Sequence, residues 1–496
     1  MRRRLCAVVY LAVVAGVCQI GRAGAEGVSP WSGRQRIPGS HDEAHTPYLV
    51  ADRSRTVHAV YSQPLGGPDT EVGVLYTRWT PEGGWIESID VLLPPYRRQA
   101  HVQGAFLDEK GVLHVLFFGG DDRDANMYYA RVAAASASHA RTWSSPELVG
   151  IKARTPRTAA LVADGRGTLQ VLYGGNRDGI GLYTVHSRDG GESWSAPVPI
   201  FLTGSEERFP WALTTSWDER GRLHAVWTVA GIDGNGKEIR YARMDAVGGP
   251  WTDSVILTQA KPGQYEVDWP SITAHGHELS VIYNDFHPPK RMARTSADGG
   301  ETWDESVEPF APSRGEYGPV DFVVDSANQL HAVFGDRGRG LNVWHSSWRG
   351  GRWSEPEPIA PATEAERFAE GALTFHPSQP RAVVSQGNLL LVVWKTDPGF
   401  HRNGVWSSVR KLDSPELPVE ALPRPVVATK QRERSSGATA QSHAAPSEPR
   451  PTHLPRSSSY GFWDHPATPL VAGFVPAAIL ILVVVLVGRW QRRHHR

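Results

Sequence analysis

The sequence predicts an all-β fold, a seven-bladed β-propeller, with a six-bladed ring as the alternative. Three observations predict it: tryptophans that recur about every 50 residues, a second series of buried strands between them, and turn motifs that keep the same period. Each of these tryptophans starts a short tail that ends on Ile, Val or Leu. They are Trp31, Trp85, Trp143, Trp194, Trp251, Trp303 and Trp353, spaced by 50 to 58 residues.

The second series consists of seven five-residue segments rich in Val, Ala, Leu and aromatic residues, bounded by Gly, Asp and Asn. Such segments are typical of buried strands rather than of helices. They are residues 57–61, 113–117, 169–173, 223–227, 279–283, 330–334 and 390–394. A period of about 50 residues that holds about four short strands predicts one propeller blade per repeat.

The last blade lacks an outer strand of its own, because no Trp-Ser tail follows the seventh buried segment. Trp406 lies only 12 residues beyond Trp394, and residues 404–408 align better with the third-strand segment at 342–346. Residues 31–37 precede the first buried segment and are available to pair with the final blade. We therefore predict that the N-terminal strand closes the ring, which leaves no exposed sheet edge.

Residues 1–25 are expected to be a secretory signal, because three arginines precede an apolar run at 7–17 and an Ala-Gly-Ala cleavage site. Both cysteines, Cys6 and Cys18, lie inside this segment. We therefore expect the exported chain, whose propeller is assigned to residues 26–412, to have no disulfide and to depend on core burial.

The C-terminal region predicts a membrane anchor. Residues 413–468 are rich in Pro, Ser and charge and are expected to be a disordered linker. An uncharged apolar run then predicts a transmembrane helix at 469–488, followed by a short basic cytoplasmic tail at 489–496. The predicted location is the cell membrane, single-pass type I, with the propeller outside the cytoplasm. A processed bacterial sorting tail has the same outline.

Two turn motifs keep the tryptophan period: Ser187-x-Asp189-x-Gly191-x-Ser193-Trp194 in blade three, and Ser296-x-Asp298-x-Gly300-x-Thr302-Trp303 in blade five. Blade six has a worn copy, in which Trp348 replaces the Asp. The motifs resemble the Asp box of the bacterial neuraminidase repeat found in sialidases and related propellers. The resemblance covers residues 31 to about 412.

The resemblance implies structural roles for the Asp-box residues. The Asp can accept backbone N–H groups of its own turn, the Gly permits the backbone angles, and the Trp packs between blades. In the family this turn lies away from the catalytic pocket. The structural set is Ser187, Asp189, Gly191, Trp194, Ser296, Asp298, Gly300 and Trp303.

Function in a propeller is expected at the mouth of the central channel, where the innermost strands and the loops before them converge. The residues before each innermost strand form a mixed charged ring beside aromatic residues. Arginines grip carboxylates, aromatic faces stack on sugars, and paired acids transfer protons, which suits an acidic glycan. The charged members are His45, Arg98, His101, Arg154, Arg157, Arg208, Glu266, Asp268, Glu316, Asp321, Arg367 and Glu370, and the aromatic members are Trp211, Tyr265, Trp269 and Tyr317.

Sialidases hold the sialic acid carboxylate with three arginines, use a Tyr activated by a Glu as nucleophile, and an Asp as acid/base. By this resemblance the catalytic candidates are Arg157, Arg208, Arg367, Glu266, Asp268 and Tyr317, and the ligand-binding candidates are His101, Arg154, Trp211 and Trp269. Arg36-Ile37-Pro38 resembles the family's first arginine motif, but it lies in the predicted outer strand, so we interpret Arg36 as non-catalytic. Arg208-Phe209-Pro210 matches better.

The sequence leaves several functions open. The first is a membrane-anchored propeller that binds glycan at the channel mouth. The alternatives are an exo-glycosidase of sialidase type, a polysaccharide lyase with His101 or a Tyr as base, and a non-catalytic scaffold for proteins. Balanced charge argues against nucleic acid as a partner. We expect no cofactor and no metal, because Asp121, Asp122 and Asp124 resemble a calcium loop only loosely.

Overall fold

The computed structural model describes residues 29–41, 43–66, 71–92, 99–120, 125–150, 158–164, 167–261, 266–286, 289–310, 316–336, 342–359, 377–396 and 404–422. The predicted signal, most of the linker and the predicted anchor lie outside these ranges, so they stay predictions. Within the described ranges, no helix is long and apolar enough to span a membrane.

Seven antiparallel sheets, one per blade, are formed by the described residues, and blades one to three come first along the chain. Blade one contains β2 Tyr48–Ala51, β3 Val57–Pro64, β4 Val72–Thr80, β5 Gly84–Trp85 and β6 Ile89–Leu92. Blade two contains β7 Ala100–Leu107, β8 Val112–Gly119, β9 Asn126–Ala133 and β10 Glu147–Gly150, with 3-10 turns at Ala134–Ser136 and Ala140–Thr142. Blade three contains β11 Ala159–Ala163, β12 Leu169–Gly175, β13 Gly181–Ser187 and β14 Val198–Leu202.

The remaining four blades complete the ring. Blade four contains β15 Arg208–Trp217, β16 Leu223–Gly231, β17 Gly236–Met244 and β18 Val255–Gln259. Blade five contains β19 Val267–His275, β20 Glu278–Phe286 and β21 Pro289–Ser296. Blade six contains β22 Glu316–Val324, β23 Leu330–Asp336, β24 Asn342–Arg349, β25 Arg352–Trp353 and β26 Glu357–Pro358. Blade seven contains β27 Pro377–Ser385, β28 Leu389–Thr396, β29 Gly404–Lys411 and β1 Gln35–Arg36.

The first strand of each blade lies beside the first strands of both neighbouring blades, from β2 through β7, β11, β15, β19, β22 and β27 and back to β2. This closed circuit confirms the seven-bladed ring and excludes the six-bladed alternative. The predicted buried segments form the second strands, and their apolar side chains are buried on both faces because each blade packs between two others.

The N-terminal strand closes the ring as predicted. Gln35 and Arg36 pair with Ser407 and Trp406 on β29. Flanking hydrogen bonds run from the Ser32 N–H to the Val409 carbonyl at 2.8 Å and from the Ile37 N–H to the Val405 carbonyl at 2.9 Å. Arg36 therefore belongs to an outer strand, where its Nη2 donates to the Ser40 carbonyl at 2.6 Å.

Blade five departs from the expected four strands. Its predicted outer strand is reduced to a bridge, in which Ala293 and Val307 exchange two backbone hydrogen bonds of 2.7 and 2.9 Å. Val307 stands four residues after Trp303, the offset at which β10, β14 and β18 begin after their tryptophans. The next residue that would donate to this ladder is Pro309, which has no backbone N–H, so the ladder stops at the bridge.

The pairing registers define two faces of the ring. We call the face where the first strands begin the mouth face, and the face where they end the turn face. Leu169 pairs with both Ala163, at the end of β11, and Ser187, at the end of β13. The turn that follows Ser187 therefore lies on the turn face, opposite the start of the first strand.

Candidate functional site

Three predicted site residues lie at the same level of the ring, near the mouth face, because each pairs with an equivalent residue in the second strand of its own blade. His101 pairs with Phe118, Trp211 with Thr228 and Asp268 with Asn284. Each of these partners directly follows its blade's buried five-residue segment, so the partners are equivalent. In blade six, Tyr317 lies in a bulge of β22 between Glu316 and Val320, next to this level.

Trp211 of blade four and Trp269 of blade five form an aromatic pair at this level. Their ring centroids are 5.4 Å apart, the planes meet at 71°, and both side chains are partly exposed. Asp268 lies beneath them. Its Oδ1 accepts the Trp269 N–H at 2.6 Å and the Thr228 hydroxyl at 2.7 Å, and the Trp211 side chain also donates to this carboxyl. One buried carboxyl thus holds both tryptophans in place.

Burial changes the acidity of the carboxyls below the pair. Loss of hydration raises the pKa of Asp268 to about 7, and the charge of Glu266 adds to the rise. Glu266, just before β19, accepts the Gly236 N–H, and burial raises its pKa as well. Two carboxyls with raised pKa values beside an aromatic surface are typical of sites that bind or transfer protons.

The first strands are bulged next to this level, with one residue in the left-handed region in each of four successive blades. The φ angles are 49° at Ala212, 54° at Trp269, 78° at Gly318 and 47° at Gln379. Trp269, Gly318 and Gln379 precede Pro270, Pro319 and Pro380, and a following proline disfavours the right-handed helical conformation. Bulges and strained residues of this kind are common beside functional sites.

Side chains of the preceding blade clamp the bulged strands. In each clamp a hydroxyl or carboxylate oxygen accepts a backbone N–H across the blade junction. The acceptor and donor residues are Ser62 and Val102 at 2.7 Å, Thr158 and Leu213 at 2.9 Å, Thr214 and Ile272 at 3.2 Å, Ser271 and Val320 at 2.9 Å, and Asp321 and Ala382 at 2.7 Å. These hydrogen bonds therefore fix the first strands of neighbouring blades relative to one another at the mouth face.

A charged group that the sequence did not single out lies where blade seven meets blade one. The Arg381 guanidinium stacks on the Tyr48 ring at 3.4 Å, and its Nη1 donates to the Thr46 carbonyl at 2.5 Å. Asp321 of blade six lies nearby, with its pKa raised to about 6 by burial. The sequence feature that could have revealed this group is Gln379-Pro380, which forms the bulge in β27. Arg381 forms the first regular pair after that bulge.

Other predicted residues are not brought to the tryptophan pair. His101 lies on the side of blades one and two, where its ring is 4.9 Å from that of His45. Arg208 is the exposed first residue of β15. Arg98, Arg154, Arg157, Tyr265, Arg367 and Glu370 lie outside the described residues, so the predicted three-arginine grip stays a prediction.

Buried Asp, His and Tyr side chains form a second repeated cluster, on the turn face of blades one, two and four. His224 contacts the Tyr241 hydroxyl through Nδ1 at 2.8 Å and Asp218 through Nε2 at 3.2 Å. The equivalent sets are Asp52, His58 and Tyr76, and Asp108, His114 and Tyr129. Burial raises the pKa of all three tyrosines. The His follows the Asp by six residues each time, a spacing that could have revealed these sets from sequence.

The Asp-box turns dock on these clusters. Asp298 Oδ1 accepts the backbone N–H groups of Glu301 and Thr302 at 3.0 Å, and Trp303 packs edge-on against Tyr241 of blade four, with centroids 5.0 Å apart. Trp194 packs in the same way on Tyr129 of blade two at 5.2 Å. Hydrogen bonds from Ser193 and Ser187 lower the pKa of Asp189. The Asp, His and Tyr sets therefore serve blade packing rather than chemistry at the mouth face.

The described part of the chain contains no group of three or more His, Cys, Asp or Glu side chains arranged to hold a metal ion. A scan against protein-family models finds no match for this chain. A search of curated proteins finds no match either.

Among solved structures, the BP39L lectin from Burkholderia pseudomallei is similar, with 14% identity and a TM-score of 0.53 over 77% of this chain and 99% of the lectin. Polysaccharide lyase Uly1 is 12% identical, with a TM-score of 0.50 over 79% of this chain and 94% of the lyase. A K499G mutant of NanB sialidase from Streptococcus pneumoniae is 12% identical, with a TM-score of 0.43 over 77% of this chain and 70% of the sialidase. At these identities the similarity concerns the fold alone, which is that of a β-propeller.

Proposed function

We propose that the protein is a membrane-anchored, extracytoplasmic propeller that binds glycan at the mouth of its channel, on the surface formed by Trp211 and Trp269. The single observation that carries this proposal is the partly exposed pair, held from below by Asp268. Aromatic faces stack on the apolar face of a sugar ring, and the polar groups around them fix its orientation.

The conformation of Trp269 supports a binding role over a packing role. A bulky residue with a positive φ is a rare arrangement that costs conformational energy. If this position served only core packing, a residue with ordinary strand φ and ψ angles would fill it at a lower conformational energy. Here the strain turns a large aromatic side chain toward its partner on the neighbouring blade, where both rings remain partly exposed.

The similar structures agree with a carbohydrate ligand, since one is named as a lectin and another as a polysaccharide lyase. The sugars recognised by those two proteins are not assigned to this chain. The class of ligand rests on the tryptophan pair and on the polar groups of the mouth face.

A second candidate, acid/base catalysis on a glycan, is favoured by the carboxyls below the pair. With a pKa of about 7, Asp268 holds its proton in a large fraction of molecules near neutral pH, as a general acid must. An exo-glycosidase of sialidase type or a polysaccharide lyase would use such a group. Release of 4-methylumbelliferone from its sialoside, lost in D268N, would support the hydrolase.

Binding is tested with the full-length chain in detergent micelles on an array of neutral and acidic oligosaccharides. W211A and W269A are expected to lose the bound glycans. W348A is the matched control, because Trp348 forms a similar edge-on pair with Trp353 at 5.2 Å, in the turn-face hairpin of blade six. Equal binding by wild type and W269A, or no binding by wild type, would reject the proposal.

Membrane anchoring is the part of the proposal that depends on residues 469–488. Cell fractionation should find the full chain with membranes and a chain ending at residue 468 in the medium. Recovery of the full chain in the medium without cleavage would contradict the anchor.

A further inference from the structure

The left-handed residues continue past the tryptophan pair. Trp269, Gly318 and Gln379 lie in bulges of the first strands of blades five, six and seven, and each precedes a proline. The bulge adds one residue to the strand in blades five and seven and two residues in blade six. Glycine adopts this conformation without steric cost, whereas tryptophan and glutamine do not. The two strained side chains therefore stand on either side of a position that has no side chain.

Gly318 is rigidly fixed at that position. Its carbonyl accepts Nη1 of Arg291 at 3.1 Å and Nδ2 of Asn284 at 3.3 Å, and both donor residues are buried on blade five. Among the described residues, the atoms nearest to a Cβ built on Gly318 are the Cγ and backbone N of Gln379, each at 3.9 Å. Gly318 itself is buried, whereas the Gln379 side chain beside it stays partly exposed.

Gln379 itself has the features of a ligand contact. It is partly buried and has a φ of 47°. Among the described residues, no hydrogen bond to its amide is found. A side-chain amide offers one acceptor and two donors, which matches adjacent hydroxyl groups of a sugar.

We propose that Gln379 is a second carbohydrate contact of the same site, which binds neighbouring hydroxyls of the sugar unit next to the unit stacked on Trp269. This inference rests on the proposed function and extends it. The ligand is then an oligosaccharide, recognised through its hydroxyl pattern as well as through one aromatic face.

The test compares Q379L with Q386L in the full-length chain in detergent micelles. Gln386 belongs to the same blade and also has a positive φ, 53°, but it lies in the hairpin at the turn face. Fluorescently labelled chitotetraose, xylotetraose, sialyllactose and a hyaluronan hexasaccharide are titrated, and the tightest is used. Q379L should weaken binding about tenfold, the effect expected for lost hydrogen bonds of ordinary strength, and Q386L should stay within about twofold.

Glycine substitutions separate a binding role from a structural one. Q379G should weaken binding as Q379L does and yet raise the melting temperature, because it relieves the backbone strain. Q386G should leave affinity unchanged. A purely structural Gln379 would leave affinity unchanged in both variants at position 379.

The outcomes distinguish this inference from the function on which it rests. If W269A abolishes binding while Q379L and Q379G stay within about twofold of wild type, the inference is wrong and the proposed function stands. If wild type binds none of the four probes and none of the array glycans, both are wrong.

Discussion

The Asp321 carboxylate accepts the Ala382 N–H at 2.7 Å and so joins the first strands of blades six and seven. The Thr214 hydroxyl accepts a backbone N–H at the junction between blades four and five, and the Ser271 hydroxyl accepts one at the junction between blades five and six. Blade six thus uses an ionisable group where blades four and five use a neutral one. The hydrogen bond between blades six and seven is therefore sensitive to pH.

The first prediction concerns D321S, which keeps an acceptor for the Ala382 N–H. Burial raises the pKa of Asp321 from 3.8 to about 6, so its contribution to stability is fully present below about pH 4 and lost as pH rises through 6. Ionisation then costs wild type up to about 3 kcal/mol at neutral pH. Guanidinium unfolding at pH 4.5 and 7.5 should show D321S gaining on wild type at the higher pH. A difference independent of pH would contradict this assignment.

The second prediction concerns D268N. The amide oxygen can still accept the Trp269 N–H and the Thr228 hydroxyl, both of which bond to Oδ1 in wild type. Because burial raises the pKa of Asp268 to about 7, wild type should lose stability as pH rises from 5 to 8. D268N should remove roughly 2 to 4 kcal/mol of that loss.

The measurement for D268N is the melting temperature across this pH range. D253N, at an exposed position of blade four, is the control and should follow wild type. Parallel curves for D268N and wild type would show that Asp268 is ionised in the folded protein well below pH 7.

The third prediction concerns His345, which occupies the place of Tyr76, Tyr129 and Tyr241 in blades one, two and four. His331 Nδ1 lies 2.9 Å from His345 Nε2, and His345 Nδ1 lies 2.7 Å from Glu357. Burial lowers the pKa of His331 to about 4 and that of His345 to about 3.

Both histidines are therefore neutral in the folded protein and gain protons on unfolding below about pH 6.5. Their stabilisation is present above that pH and lost as pH falls toward 4, by up to about 3 kcal/mol for His331 alone. H345Y should make this acid loss shallower in urea unfolding from pH 7 to 4.5. An equal acid loss in both proteins would place the sensitivity elsewhere.

The fourth prediction concerns G300A in the Asp box of blade five. A Cβ there would overlap the Tyr241 hydroxyl, and Gly300 has a φ of 90°. G276A is the control, because Gly276 also has a positive φ, 60°, but its Cβ would meet nothing within 4 Å. G300A should lose at least about 2 kcal/mol more unfolding free energy than G276A. Equal losses would mean that the turn does not pack on Tyr241.

The blade count and the ring closure could be predicted from sequence because each blade repeats one tryptophan and one buried segment. Trp31 before the first segment, with no tail after Trp394, already required the N-terminal strand to complete the last blade. These features depend on burial, which leaves a periodic pattern in the residue types.

The mouth face could be predicted only in part. Trp211, Trp269 and Asp268 were found because they precede or begin buried strands, but their mutual contacts depend on bulges that add residues to the first strands. Gln379 and Arg381 were missed because Pro380 interrupts the strand pattern. A left-handed residue before proline has no signature in residue type unless that residue is glycine, as at Gly318.

The most direct measurement is a crystal structure of the protein with its tightest array glycan. We predict a sugar ring stacked on Trp269 or Trp211 at the mouth face, with the next unit in contact with Gln379. A glycan bound only at the turn face or at the outer strands would contradict the account.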